Sequence, residues 1–544
     1  MQQAALDPAA IAESVRQDLT TLVAEGRMAD ARTLVAAARE AFPQDPDFAT
    51  SQAYIHLRLG SSQLAIDTAR EARELGSQDP TIEMVLGLAA RMQQRHADAA
   101  QALIVAHRAM PERANIARFA VEEAFEAHGV DGAQLAFAEV FGRTNDPVIA
   151  QYWAERLFEA GRHAEMPPGM ASAVVTTARA WMEAHATPPA FTGAPEVMTV
   201  QDPPVYGAPA AERPRVQVEG YTPYAGTIRG ATVFARSSVV LTDDGAALND
   251  TLADAQYGRF LDLSFDKLIV RCEGGRLLLS TARYAIAELE AGIMLSGWAS
   301  EYFGHWVPEY LCRLAYLEHH PRFADLPIIV DAGMPAQHLE FLRLLVPNPI
   351  VEIPEGGALH VGELVVASPA AFFHVLLTPD HAVPPERQCG LPVGGFRYLA
   401  ERMAQRLPPE GQGGRKLYLS RKSRQWRRLL NEDEVAEALA ARGFEILYPE
   451  EMSPEAQVRM YQGASLVVAP NGSSLLNAIF APKDLKLLVL SQQGLFNWGT
   501  YYGLMSALGY ELSFFCGDDA TDEKHSNYAV PIPPLLAAVD EMLA

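Results

Sequence analysis

Alanine recurs at a fixed interval through the first third of this chain. Ala31, Ala65, Ala99 and Ala133 follow one another at 34 residues. Asp45-Pro46 and Asp79-Pro80 keep the same period, and Asp146-Pro147 falls one residue short of it. Gly26 and Gly60 stand five residues before the first two of these alanines. A period of this length marks stacked units that bury their apolar faces only against their neighbours. The physics agrees with helix pairs. A small side chain lets the two helices of a hairpin approach, Gly allows the turn between them, and Pro ends the second helix. Chance recurrence in an Ala-rich stretch would not carry the Asp-Pro period with it. The spacing predicts antiparallel helix pairs over residues 1–185, with four units and a degenerate fifth near Gly161.

That period, with its small residue in the second helix, resembles the tetratricopeptide repeat. The resemblance implies a solenoid whose concave face takes a peptide or a partner protein. The totals limit the rest. At 544 residues the chain is long enough for two to four domains. A net charge of −23 argues against a nucleic-acid binder and against docking on anionic lipid by charge. Cys272, Cys312, Cys389 and Cys516 are widely spaced, which suits a reducing compartment and no structural zinc. The start, Met-Gln-Gln-Ala-Ala-Leu-Asp-Pro, has no basic segment and no apolar core, so no signal peptide is expected. No apolar run reaches the roughly 18 residues of a membrane span. The expected location is the cytoplasm, or the inner face of a membrane if a partner holds the protein there.

Residues 186–229 are Pro-rich and read as a linker or an extended strap. Beyond them, residues 230–385 and 386–544 each mix short apolar runs with helical patterns, as two α/β halves do. The second half contains the stretch richest in chemistry. Seven Lys or Arg fall between Arg415 and Arg428 in an otherwise acidic chain. A short strand, Leu417 to Ser420, leads into this basic loop. Asn431 then reads as a helix N-cap, with Glu434 as its capping-box partner. Further on, an apolar strand from Ser465 to Ala469 runs into Pro-Asn-Gly-Ser-Ser, with a helix opening near Ser473 or Ser474. A strand, a small-residue turn and a helix start together form an anion site of backbone N–H groups, and Arg binds phosphate through its planar fork. A solvated basic face and an ordinary turn would explain each feature singly; their joint presence points to a phosphate-bearing ligand.

This stretch resembles the C-terminal half of glycosyltransferase family 61, bacterial members of which serve capsular polysaccharide synthesis. The matching residues are Ser420-Arg421, Arg427-Arg428, Asn431-Glu432-Asp433-Glu434, Gln457, and the turn from Pro470 to Asn477. Asn471 stands where the family has His, and Ser473 where it has Ala. A second stretch, Glu301-Tyr302-Phe303-Gly304-His305-Trp306-Val307-Pro308-Glu309 through Arg313-Leu314, resembles the signature of the family's N-terminal half. On a helix, His305 and Glu309 share one face. Alone, the pair would read as a capping His and a surface Glu.

The resemblance implies a GT-B-like α/β catalytic region with two Rossmann-like halves, here preceded by the all-α solenoid. It implies an inverting, metal-independent hexosyl- or pentosyltransferase that moves sugar from a nucleotide-sugar donor to a hydroxyl of a glycan or protein acceptor. The donor, as substrate, is the only cofactor-like molecule expected. On this reading Glu309 is the base, with His305 orienting it or replacing it. Arg421, Arg428, Asn471, Gly472, Ser473, Ser474, Asn477 and Trp498 contact the donor. Phe496, Trp498, Tyr501 and Tyr502 form an aromatic patch suited to stacking on a sugar or nucleobase. Asp518-Asp519 reads as a solvated loop, and His319-His320 as a helix end without a metal set. A second reading, from a different class, is an inactive transferase-like scaffold whose repeats bind a partner.

Overall fold

The structure, a computed structural model, describes residues 7–207, 215–254, 258–373, 383–410, 413–421, 427–492, 498–521 and 526–544. Contacts divide the chain into two compact units. One is Met1–Ser172 with Ser280–Ala282; the other is Ala173–Leu279 with Arg283–Ala544.

The first unit is built of helices: α1 (Pro8–Ala24), α2 (Met28–Ala41), α3 (Pro46–Arg58), α4 (Ser62–Glu74), α5 (Thr81–Met92), α6 (His96–Ala109), α7 (Ala114–Thr144) and α8 (Pro147–Glu159). Gly129, at φ 66° and ψ −169°, breaks α7 into two arms, so this single run supplies both helices of the fourth pair. Ala31, Ala65, Ala99 and Ala133 lie in the second helices and are wholly buried. Gly26 and Gly60 take left-handed φ in the turns, as the period required. The Asp-Pro pairs act differently from the expectation. They open the following helix rather than close the preceding one: Asp45 and Asp146 cap α3 and α8 through their side chains, with Pro at the first helical position. That position suits Pro because the N–H it lacks would have had no partner. After Gly161 the chain makes one short turn, His163–Glu165, and then a strand, so the fifth unit has one long helix rather than two.

The second unit holds two large sheets and two two-stranded ones. Its strands are β1 (Met170–Thr176), β2 (Phe191–Thr192), β3 (Val197–Val200), β4 (Val205–Gly207), β5 (Val216–Glu219), β6 (Tyr224–Phe234), β7 (Val240–Thr242), β8 (Ala246–Leu248), β9 (Ile269–Glu273), β10 (Arg276–Ser280), β11 (Ala285–Met294), β12 (Ile328–Asp331), β13 (Ile350–Ile353), β14 (Gly357–Ala367), β15 (Arg415–Leu419), β16 (Glu445–Leu447), β17 (Ala464–Pro470), β18 (Lys486–Ser491) and β19 (Glu511–Cys516). The first sheet is mixed. Its order is β13-β12-β11-β14-β6-β7-β8-β1-β10-β9, with β2 also paired to β6. The four strands β11 to β14 are mutually parallel, and β6 and β7 add antiparallel partners. The second sheet, β16-β15-β17-β18-β19-β4, is parallel throughout. Its strands read as continuous apolar runs because both faces are covered. One core serves both sheets: Ile293 and Val330 of the first share it with Leu417, Val467 and Val489 of the second.

The unit starts at Ala173 rather than beyond 185, because β1 and the helix α9 (Ala178–Ala184) belong to it. The Pro-rich stretch 186–229 is a strap that carries strands. β4 pairs with β19 and finishes the second sheet. β3 and β5, with β4 between them in the chain, form an antiparallel pair seated on the helix Trp498–Ala507, where Gly499 and Gly503 leave room for the backbone of Thr199 and Gln201. Proline is tolerated here because an edge position does not need every N–H.

Candidate active site

Strand order locates the site. The parallel part of the first sheet runs in the order third, second, first, fourth, so the order reverses between β11 and β14. The second sheet runs second, first, third, fourth, fifth, so it reverses between β15 and β17. Ligands of open α/β sheets bind outside the carboxyl ends of the strands at such reversal points. Both motifs singled out in the sequence follow these strands.

At the first reversal, Asp331 ends β12 and pins the loop after β11. One carboxylate oxygen accepts from the Arg236 N–H at 2.7 Å; the other accepts from the Gly297 N–H at 2.9 Å and the Ser300 hydroxyl at 2.7 Å. Burial pushes this carboxyl above its ordinary range, while the three donors pull the other way. The ring of His338 bonds the Ser300 carbonyl at 3.1 Å, and the Trp306 indole N–H donates to the His338 carbonyl at 3.3 Å. The chain leaves this loop in a short helical turn, Phe303–His305, which widens into a π-helical turn, Trp306–Tyr310. Pro308 explains the widening, since it has no N–H to donate and its ring crowds the preceding turn. The wide turn brings the His305 Nδ1 to 2.5 Å from the Glu309 carboxylate. Glu309 is only 7% exposed. The His305 ring stands edge-on to Trp298 at 5.4 Å and tilts against Phe373 at 4.9 Å.

At the second reversal, Glu432 organises the corner. One of its oxygens accepts from the Tyr418 hydroxyl at 3.1 Å, the Ser420 hydroxyl at 2.8 Å and the Arg421 N–H at 2.9 Å. Asn431 occupies the N-cap position, but its side chain pairs with both backbone groups of Val530, so the capping box with Glu434 does not form. The Arg421 guanidinium donates to the Asn471 carbonyl and lies against Gly472, where a Cβ would come within 3.0 Å of it. The Asn471 side chain lies 3.5 Å from the Ser491 hydroxyl, at the end of β18. Ser473 is exposed and Ser474 half-buried at the start of a 3₁₀ helix, Ser473–Phe480, rather than an α-helix. Asn477 is buried and donates to Gln457 at 2.8 Å, and Gln457 in turn donates to the Pro449 carbonyl at 2.9 Å. Arg428 is exposed, with its backbone tied to Asn527 and Tyr528. Arg427 takes a left-handed φ, and burial lowers its pKa from the ordinary arginine value. Trp498 opens the helix Trp498–Ala507. Tyr501 donates to the Leu475 carbonyl at 2.6 Å, which braces the same turn. Lys422, Arg424 and Phe496 lie outside the described residues.

The two reversal points meet. A Cβ on Gly304 would lie 3.3 Å from the Cβ of Ser473. The His305–Glu309 pair therefore sits next to the small-residue turn. Sequence reasoning missed Glu432, Asp331, Trp298 and Arg313. Glu432 was visible only as part of a helix start and Arg313 only as the Arg-Leu end of the first motif, with no role given to either, and Asp331 and Trp298 lack a motif of their own. Elsewhere, His319 stacks on Phe191 at 4.3 Å and His320 bonds Thr227 at 3.0 Å. Asp518-Asp519 forms a short hairpin with Tyr528–Ala529 rather than a loop. Cys272, Cys312, Cys389 and Cys516 form no disulfide with one another. Among the described residues, no group of three or more His, Cys, Asp or Glu could hold a metal ion, and no helix is long and apolar enough to cross a membrane.

Both sheets carry an α/β strand reversal, and the two sequence motifs lie at the carboxyl ends of the strands there. Residues 303–488 match the family model Glycosyltransferase 61, and residues 20–80 match the family model Tetratricopeptide repeat. The chain thus carries a glycosyltransferase 61 domain behind an N-terminal tetratricopeptide-repeat region. The family implies a glycosyltransferase, and with it a nucleotide-sugar and an acceptor. No curated protein matches the chain significantly. Among solved structures, MamA from Desulfovibrio magneticus RS-1 is similar at 13% identity, over 28% of this chain and 87% of that one, with a TM-score of 0.26. PilF of Pseudomonas aeruginosa is similar at 19% identity, over 28% and 70%, with a TM-score of 0.25. A tetratricopeptide-repeat protein of Thermus thermophilus is similar at 22% identity, over 28% and 86%, with a TM-score of 0.23. Likenesses of this size decide nothing about function.

Proposed function

We propose that the chain is an inverting, metal-independent glycosyltransferase of GT-B architecture, moving a hexosyl or pentosyl group from a nucleotide-sugar to a hydroxyl of a glycan or protein. The contact between Gly304 and Ser473 carries this reading, because it brings the segment that holds the buried Glu309 against the turn read as the diphosphate site. Glu309 takes the proton of the acceptor hydroxyl, and His305 holds its carboxylate in place. The freed oxygen attacks the anomeric carbon opposite the diphosphate. The bond to the diphosphate breaks, and its electron pair leaves with the phosphate oxygen. Arg421, Arg428 and the N–H groups of the turn at Gly472, Ser473 and Ser474 meet the charge that develops there, while Asn471, whose own N–H is donated to the Leu490 carbonyl, holds Arg421 through its carbonyl. Asn477 acts through Gln457 by fixing that turn. The repeats present a face for a protein partner.

The test uses the whole chain and a panel of nucleotide-sugars. Glu309→Gln is expected to lower turnover by about two to four orders of magnitude at saturating substrates, with donor affinity little changed. His305→Ala is expected to cost less. Arg421→Ala is expected to weaken donor binding in calorimetry by roughly tenfold or more. A dead His305→Ala beside an active Glu309→Gln would exchange the two roles. Absence of turnover with every donor would instead favour the partner-binding scaffold.

A further inference from the structure

A cavity of about 110 Å³ lies at the first reversal point, and Glu309 forms part of its wall. That is several times the space a single water needs. Its lining is unusual in two respects. First, Phe265 lies at the cavity with half of its surface in solvent, tilted against Trp298 at a centroid distance of 5.4 Å. Trp298 in turn meets the His305 ring edge-on, so the aromatic pair runs up to the residue that holds the proposed base. An aromatic face is electron-rich and attracts the polarised C–H groups on one side of a sugar ring.

Second, the polar groups are unevenly committed. Asp250 is taken up by the Tyr224 hydroxyl at 2.7 Å and the Ala178 N–H at 3.4 Å. Asp266 is taken up by the Ser237 hydroxyl, the Ser238 N–H and the Leu268 N–H. Arg313 is different. Its guanidinium lies over the Tyr310 ring at 5.2 Å, and its Nε–H is buried without a hydrogen-bond partner. A buried donor without a partner is costly, and a ligand hydroxyl would satisfy it. The wall carries Asp250, Asp262, Asp266 and Glu309 against the single cation of Arg313. A uronate or phosphorylated sugar would meet more like charge than opposite charge. An uncharged ring would meet none of that repulsion.

We propose that this cavity is the acceptor subsite and that it holds an uncharged sugar ring of a glycan, stacked on Phe265 and Trp298, with its reacting hydroxyl turned to Glu309 and a second hydroxyl accepting from Arg313. The proposal rests on the transferase reading above and names its acceptor class.

The whole chain is incubated with its nucleotide-sugar, and nucleoside diphosphate release is followed with and without methyl glucoside, galactoside, mannoside and xyloside, methyl glucuronide, and a Ser/Thr peptide. A neutral glycoside is expected to stimulate release. Phe265→Ala is expected to raise the KM for that glycoside about three- to tenfold and to leave release without acceptor unchanged; Phe265→Tyr should restore the KM. Stimulation by the glucuronide or the peptide alone, or an unchanged KM in Phe265→Ala, overturns the proposal while leaving the transferase reading intact. If no donor turns over, the transferase reading fails, and the cavity is then probed by saturation-transfer NMR with the same neutral glycosides. Transfer that is lost in Phe265→Ala upholds a neutral-sugar site; no transfer overturns it.

Discussion

Asp266 carries a carboxylate that the fold both needs and penalises. Burial raises its pKa from 3.8 to about 6, against the pull of three hydrogen-bond donors. The sign of the stability effect follows directly. Between about pH 4 and pH 6 the folded chain keeps this proton and the unfolded chain has lost it, so the folded state binds more protons there. Stability from this group is therefore fully present below the unfolded pKa and is lost as pH rises through about 6. The size is at most about 3 kcal/mol. Denaturant titrations of the native chain and of Asp266→Asn should diverge across that window, with the native chain losing more stability as pH rises. Parallel curves would mean that the carboxyl ionises normally. Single residues of this kind were the least legible in the sequence. Glu432 sits in an acidic run, Glu432-Asp433-Glu434, and nothing in the order of those letters says that the first is the one turned inward onto Tyr418, Ser420 and Arg421. His305 and Glu309 were legible because four residues bring two side chains together on any helical turn; that the turn is a wide one depends on Pro308 and its neighbours.

At the scale of elements, the repeat period extends to a position where the sequence departs from it. Gly26 and Gly60 make the turns of the first two helix pairs with left-handed φ, and Gln94 stands 34 residues after Gly60 with φ 57°. A side chain in that conformation costs about 1–2 kcal/mol, part of which glycine gives back through its freer unfolded chain. Gln94 is exposed, so nothing in the packing requires it. Gln94→Gly should raise stability by about 1 kcal/mol and the melting temperature of the helical unit by about 2–4 °C. A lower melting temperature would show that the Gln94 side chain contributes more than the backbone strain removes. Short elements were misread where a local signal had two uses. Asp-Pro can close one helix or open the next, and here it caps and opens. Asn431 can cap a helix through its side chain, but Val530 offers it two backbone partners instead.

At the scale of the molecule, the chain folds as two units whose boundary lies at 172/173. A fragment starting at Met170, which keeps the whole of β1, should therefore fold, with a cooperative melt. One starting at Gly220, inside the Pro-rich stretch, should not. It lacks β1 and the β3–β5 pair, whose Met198 and Val218 are buried, and it lacks β4, which leaves β19 as an open edge. Circular dichroism and gel filtration of the two fragments check this; a folded monomer from 220 would show the strap to be dispensable. The sequence by itself determined the helical repeats, the parallel strands after residue 415 and the two motifs, because each is a local pattern: a period, an apolar run, a turn of small residues. Which strands share a sheet was not local. The strap reads as a linker since its prolines break every local pattern, and only a distant edge at β19 makes one of its short segments a strand. The site was decided in the same way. Strand order places both motifs at reversal points, and the contact of Gly304 with Ser473 joins two stretches more than 160 residues apart. Such a contact has no signature in either stretch, because its energy comes from packing that exists only when both sheets are in place.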